Sequence, residues 1–272
     1  MNDLINRDLL CPLHDVAIAG GGVIKKYYDQ GADLDSWKKV GGSLVSEADV
    51  ATEKTILPMI QKLTPDIPIV SEEAYEAGQI PNVSDEKYFW LIDPIDGTRG
   101  FVNRTARFCL CIALVMDHRA ALGIIHMPQK NVTYAGIVGD GAFQLEKDAD
   151  DMTQFSPIST RDIPDDGARA VIGYSSGKGG TVPDSVEGVP IARVHKVGSA
   201  VKFALIADGR ADVHFNFAHC FEWDAAAGHA IVEAAGGQVT QLDGGPLLYG
   251  KPKFRNVPLM AKGWKTGEVP KF

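Results

Sequence analysis

Along the first quarter of the chain, apolar residues recur at helical spacing. Leu13, Ala17, Ile24 and Tyr28 predict a helix over about residues 3–30, with Pro12 near its start. Gly20, Gly21 and Gly22 interrupt it at about 1 kcal/mol each against alanine, and close packing on a neighbour is one reason to find them there. After a polar link at 31–39, Val50, Ile56, Leu57, Ile60 and Leu63 predict an amphipathic helix with Asp49 near its start. Thr64-Pro65-Asp66 marks a turn and 67–70 a short strand, followed directly by Ser71-Glu72-Glu73. Residues 77–87, with Gly78, Pro81, Asn82 and Ser84, read as a surface loop.

The pattern then changes to strands. Residues 88–92 form a continuous apolar run that ends at Asp93, and 108–116, 121–127 and 132–138 follow as strands, with Gly139-Asp140-Gly141 as a hairpin turn before 142–145. The polar, acidic stretch 147–166, with Pro157 and Pro164, places a boundary near 150–160 and divides the chain into halves 1–150 and 151–272 that work as one unit. The second half alternates. A strand at 168–174, another at 192–197, a helix from Ser199 as N-cap to Asp208 closed by Gly209, and a strand at 211–215 precede a helix from Glu222 to about Ala235, stopped by Gly236-Gly237. Residues 242–251 read as a turn between short strands.

With 272 residues, 45% hydrophobic and 23% charged, the chain has the balance of an ordinary globular protein. No apolar run approaches the roughly 20 residues needed to cross a bilayer, and no basic segment leads into an apolar one at the start, so a cytoplasmic protein is expected. A net charge of −8 with scattered basic residues argues against a polymeric nucleic-acid partner. Cys11, Cys109, Cys111 and Cys220 form no C-x-x-C pair; Cys109 and Cys111 alternate on one strand and read as core thiols.

The chemistry gathers where the 88–92 strand ends, in Asp93-Pro94-Ile95-Asp96-Gly97-Thr98. Pro94 and Gly97 make a stiff turn, two carboxylates and a backbone carbonyl supply hard oxygen ligands of the kind Mg²⁺ prefers, and the following amides and hydroxyl suit a phosphate oxygen. A bare Asp-Gly-Thr is often only a capped turn. The longer string, continued by Arg99-Gly100-Phe101, closely resembles the metal-binding signature of the inositol monophosphatase superfamily. Trp223-Asp224-Ala225-Ala226-Ala227-Gly228 resembles its second signature, and Gly198-Ser199-Ala200-Val201-Lys202-Phe203 is similar to the 3'(2'),5'-bisphosphate nucleotidase branch.

The resemblance implies an α/β fold, a layered α-β-α-β-α sandwich like that of fructose-1,6-bisphosphatase, and a Mg²⁺-dependent phosphomonoesterase. It implies metal ligands at Glu72, Asp93, Asp96, Asp224 and the Ile95 carbonyl, with Asp49 and Thr98 orienting the attacking water. The Gly97 and Thr98 amides would grip phosphate, and Ser199 and Lys202 would face the substrate. If these acids converge, their repulsion demands bound cations, and an all-oxygen set favours two or three Mg²⁺ ions, with Mn²⁺ as the substitute, over Zn²⁺. The implied partner is a small phosphorylated metabolite, foremost adenosine 3',5'-bisphosphate hydrolysed to AMP, and by analogy a second copy of the chain in a homodimer. Departures stand at Leu44 and Ser46, where the superfamily has proline and threonine, and at Gly173-Tyr174-Ser175-Ser176 and residues 214–221. Arg99 also resembles histidinol-phosphate phosphatases. That activity, inositol-1-monophosphatase and a non-catalytic metal-binding regulator are the alternatives.

Overall fold

Asn6 opens helix α1 (Arg7–Asp29) by accepting a 3.0 Å hydrogen bond from the Leu9 amide, and α1 lies across α2 (Glu47–Leu63). The structure, a computed structural model, describes residues 4–30, 36–38, 44–174 and 181–264, with backbone alone at 36–38 and 44–46. Most of the 31–39 link, the Leu44 and Ser46 side chains, and Ser175 and Ser176 thus lie outside the described residues. Two of the three α1 glycines are sites of close approach. A Cβ at Gly20 would stand 2.9 Å from Ile56 and Leu110, and one at Gly21 2.3 Å from the His126 ring, whereas Gly22 has open space. The short strands β1 (Ser36–Lys38) and β2 (Leu44–Ser46) pair antiparallel between the two helices.

A seven-stranded sheet follows, in the order β3 (Ile69–Ser71), β4 (Tyr88–Asp96), β5 (Cys109–Met116), β6 (Arg119–Met127), β7 (Val132–Ile137), β8 (Gly141–Lys147) and β9 (Thr153–Ile158). Only β3 and β4 run parallel. Single-turn helices continue the ends of the first two strands: α3 (Glu72–Glu76) after β3 and α4 (Thr98–Val102) after β4. β9 arises within the polar stretch in which the sequence places the boundary between halves. It is an edge strand with half of its residues exposed, where Pro157 removes no hydrogen bond that an inner strand would need.

The second sheet has the order β11 (Ser185–Val186), β12 (Val189–Lys196), β10 (Ala168–Ile172), β13 (Val213–Asn216), β17 (Leu259–Lys262), β15 (Gln238–Gln241). Helices α5 (Val201–Ala207) and α6 (Trp223–Ala234) belong to the same half, and β14 (Cys220–Phe221) pairs with β16 (Arg255–Asn256) beside them.

Trp90, Ile92, Leu110 and Ile112 on one face of the first sheet pack with α1 and α2, while Phe89, Leu91, Cys109 and Cys111 on the other pack with α5, α6 and the second sheet. Among the described residues the layers therefore run helix pair, sheet, helix pair, sheet. α6 is buried from Trp223 to Val232 apart from Asp224, because it is covered on both sides. It meets the first sheet backbone to backbone: a Cβ at Gly123 would lie 2.1 Å from the Ala227 carbonyl oxygen, and one at Gly136 2.7 Å from Ile231 Cα. No helix among the described residues is long and apolar enough to cross a membrane.

Candidate active site

The site begins with a slip in the β4–β5 ladder. Asp93 pairs with Cys111 and Asp96 with Cys109, so Pro94 and Ile95 fit between two ladder positions that on β5 enclose only Leu110. Residues three apart on a regular strand point to opposite faces; the extra residue of this bulge turns both aspartates to the same one. That face carries α6. The Ile95 side chain goes the other way, into the core beneath α1 and α2. The strand thus runs past the Ile92 end that the sequence suggests, and the tip read as a turn is a bulge.

Gly97 follows at φ 90°, where a Cβ would fall 2.7 Å from the Arg107 carbonyl oxygen, so both the backbone angle and the space require glycine. Thr98 donates its hydroxyl hydrogen to the Ile95 carbonyl at 3.0 Å.

Four elements direct carboxylates at this point: α2 with Asp49, α3 with Glu72, β4 with Asp93 and Asp96, and α6 with Asp224. Burial pushes the Asp93 carboxyl well above its ordinary 3.8, and the charges of Glu72, Asp96, Asp224 and Asp49 push it further. Asp224 is raised by burial and then by Asp96 and Glu72, although the Phe221 amide donates to it at 2.8 Å. Asp93 is 2% exposed, and its buried Oδ1 has no hydrogen-bond partner among the described residues. An orphaned carboxylate oxygen at the centre of an acidic cluster is costly without a cation, so the residues present fit a hard divalent metal.

Asp96 is compensated differently. Burial raises it, but Lys202 and the Ala200 and Gly97 amides lower it. The Ala200 amide donates to Asp96 Oδ2 because Ser199, expected as the N-cap of α5, is instead left-handed at φ 59° and swings the following N–H toward β4. Lys202 is depressed by its own burial and donates to the Ser199 carbonyl at 2.5 Å.

A cavity of about 640 Å³ opens over these groups, lined by Glu72, Asp96 and Asp224 and by the cationic Arg99, Arg107 and Lys202. Gly97, Thr98 and Ser199 also line it, while Asp49, Asp93 and Ile95 do not. Two of its lining residues meet, the Arg107 guanidinium sitting 5.3 Å from the Tyr174 ring centre. His214 projects into the cavity from β13, held down to about 3 by burial and by Lys202, so it is a neutral imidazole; its Nδ1–H donates to the Val171 carbonyl at 2.8 Å.

Sequence reasoning missed Glu53. One helical turn after Asp49, it accepts the Glu73 amide at 3.0 Å and so fixes the start of α3, which carries Glu72. The i, i+4 spacing from Asp49 was the available signal. Arg107 was missed as well; nothing in its surroundings in sequence marks it.

The inositol monophosphatase family model matches residues 6–266. The 3'(2'),5'-bisphosphate nucleotidase CysQ of Escherichia coli (strain K12) is 31% identical over 242 residues, covering 89% of this chain and 93% of that protein. Its namesake from Buchnera aphidicola is 31% identical over 250 residues and covers 91% of each. Among solved structures, CysQ from Bacteroides thetaiotaomicron matches with a TM-score of 0.75 at 27% identity, over 94% of this chain and 97% of that one. The suhB protein of Bartonella henselae shares the fold, with a TM-score of 0.73 at 23% identity, over 93% and 92%. The bulge that aligns Asp93 with Asp96, the α6 carboxylate facing them and this likeness over nearly the whole chain agree: the chain belongs to the inositol monophosphatase family.

Proposed function

We propose that this chain removes the 3'-phosphate of adenosine 3',5'-bisphosphate, giving AMP and phosphate, with Glu72, Asp93, Asp96, Asp224 and the Ile95 carbonyl holding two or three Mg²⁺ ions. The chain is a metal-dependent phosphatase of the type its CysQ relatives represent. The observation that carries the residue assignment is the orphaned Asp93 oxygen among converging acids. When bound, the ions polarise the phosphoryl oxygens and acidify a water for in-line attack.

The chain's own groups do the rest. The Thr98 hydroxyl, tied to the Ile95 carbonyl, presents its lone pair to the attacking water, and Asp49 shares in orienting it. The Gly97 and Thr98 amides grip the transferring phosphate. Lys202 and Ser199 face the substrate, and Lys202 with the arginines that line the cavity supplies positive charge for a second phosphate. The cavity volume lies in the range that encloses a nucleotide.

The test is a panel of adenosine 3',5'-bisphosphate, inositol 1-phosphate, histidinol phosphate and fructose 1,6-bisphosphate at fixed Mg²⁺. The first is expected to give the highest kcat/KM. A higher value for any other overturns the substrate, and no phosphate release from all four overturns turnover itself, leaving the regulatory alternative.

A further inference from the structure

Beside the oxygen ligands lies a pair of sulfurs. Cys109 and Cys111, two apart on β5, leave the same face of the strand, and the ladder sets them opposite Asp96 and Asp93. At the other paired positions of this ladder, 88–92 against 112–116, both partners are apolar or aromatic. The thiols therefore stand only where the neighbouring strand carries carboxylates. They are free cysteines, 0% and 1% exposed, with their Sγ atoms 3.9 Å apart.

One carboxylate oxygen of Asp96 joins the two sulfurs, all three atoms lying within 4.8 Å of one another. Two thiolates bound tetrahedrally at about 2.3 Å from a zinc ion stand about 3.8 Å apart, so the sulfurs already have nearly the spacing such an ion requires. Asp96 also lines the cavity, which gives a route of entry.

We propose that Asp96, Cys109 and Cys111 form a binding site for one thiophilic divalent cation, Zn²⁺ or Cd²⁺, whose occupancy withdraws Asp96 from the magnesium ligands and stops hydrolysis. Both thiols release their protons to solvent on binding, so that two thiolates meet the charge of the ion. A fourth position is left to water from the cavity. The inhibitory consequence rests on the phosphatase reading; the binding does not.

Cd²⁺ alone is titrated into the full-length protein, kept reduced with a phosphine. The expected result is an ultraviolet thiolate-to-cadmium charge-transfer band that saturates at one ion per chain. Cys109→Ser and Cys111→Ser each weaken it and together abolish it, while Cys11→Ser leaves it intact. In phosphate release with excess Mg²⁺, the double variant turns over like the wild type but needs at least about tenfold more Zn²⁺ for half inhibition. If the serine pair fails to fold, the alanine pair, apolar like the buried thiols, serves the same comparison. No band in the wild type, or a band that survives loss of both cysteines, overturns the site. Unchanged zinc inhibition in the double variant overturns the inhibitory role. A band in a protein that hydrolyses nothing supports the site and overturns the phosphatase reading instead.

Discussion

Asp93→Asn is expected to make the metal-free protein more stable while nearly abolishing turnover. In the absence of cations the Asp93 carboxylate is buried, lacks a partner at Oδ1 and is repelled by Glu72, Asp96, Asp224 and Asp49. An amide in its place carries no charge and turns N–H donors toward those acids. Relieving one such buried group is worth about 2 kcal/mol, which at roughly 2–4 °C per kcal/mol raises Tm by roughly 4–8 °C. The sign of the pH dependence follows from the raised carboxyl. The folded state holds that proton more tightly than the unfolded chain does, so wild-type stability falls as pH rises from 3.8 through the raised value. The Asn variant lacks this loss. Its Tm advantage in chelator is therefore small near pH 4 and grows toward pH 8. Saturating Mg²⁺ reverses the order, because ligand at a hundred times its Kd adds about 2.7 kcal/mol to the wild type alone. Thermal melts of both proteins in EDTA and in Mg²⁺ across this pH range provide the assay. A variant that melts below the wild type in EDTA at pH 8 refutes the reasoning, as does one that retains wild-type kcat.

Lys202→Ala removes a cation from the cavity wall and is expected to raise KM about tenfold or more for adenosine 3',5'-bisphosphate, as a charged hydrogen bond of about 1.5–3 kcal/mol implies, and less for a monophosphate; equal effects on both count against a second phosphate there. His214, held down to about 3, stays neutral, so its ring resonances should not shift between about pH 5 and 9, and a mid-range titration by NMR would contradict the burial described. Gly123→Ala, with its Cβ 2.1 Å from a backbone oxygen, should cost about 1–3 kcal/mol. Gly22→Ala, on an open helix face, should gain up to about 1 kcal/mol, and denaturant melts moving in the same direction for both would sink the packing argument.

Much of this was legible in the sequence because it depends on short strings. The Asp93–Thr98 and Trp223–Gly228 strings marked two sides of one site, and the α1 glycines announced a close neighbour that Gly20 and Gly21 do have. The features that were not legible are those decided between elements. Nothing local reveals that β4 continues through Pro94, since the bulge exists only in the pairing with β5. β9 lacks an apolar alternation because it is an edge, half exposed. Ser199 has the composition of a helix cap, but the amide geometry demanded by Asp96 outweighs local capping preference. Glu53 reads as an ordinary helical acid until α3 is placed against it.

α6 lies between the two sheets and brings Asp224 to a cluster otherwise supplied by α2, α3 and β4. An ion held by Asp93 and Asp224 together would act as a rivet through the layers, resisting any motion that slides the middle helix along the first sheet. Amide hydrogens of α6 are then expected to exchange with deuterium more slowly in magnesium than in chelator, and catalysis and mechanical cohesion draw on the same few oxygens.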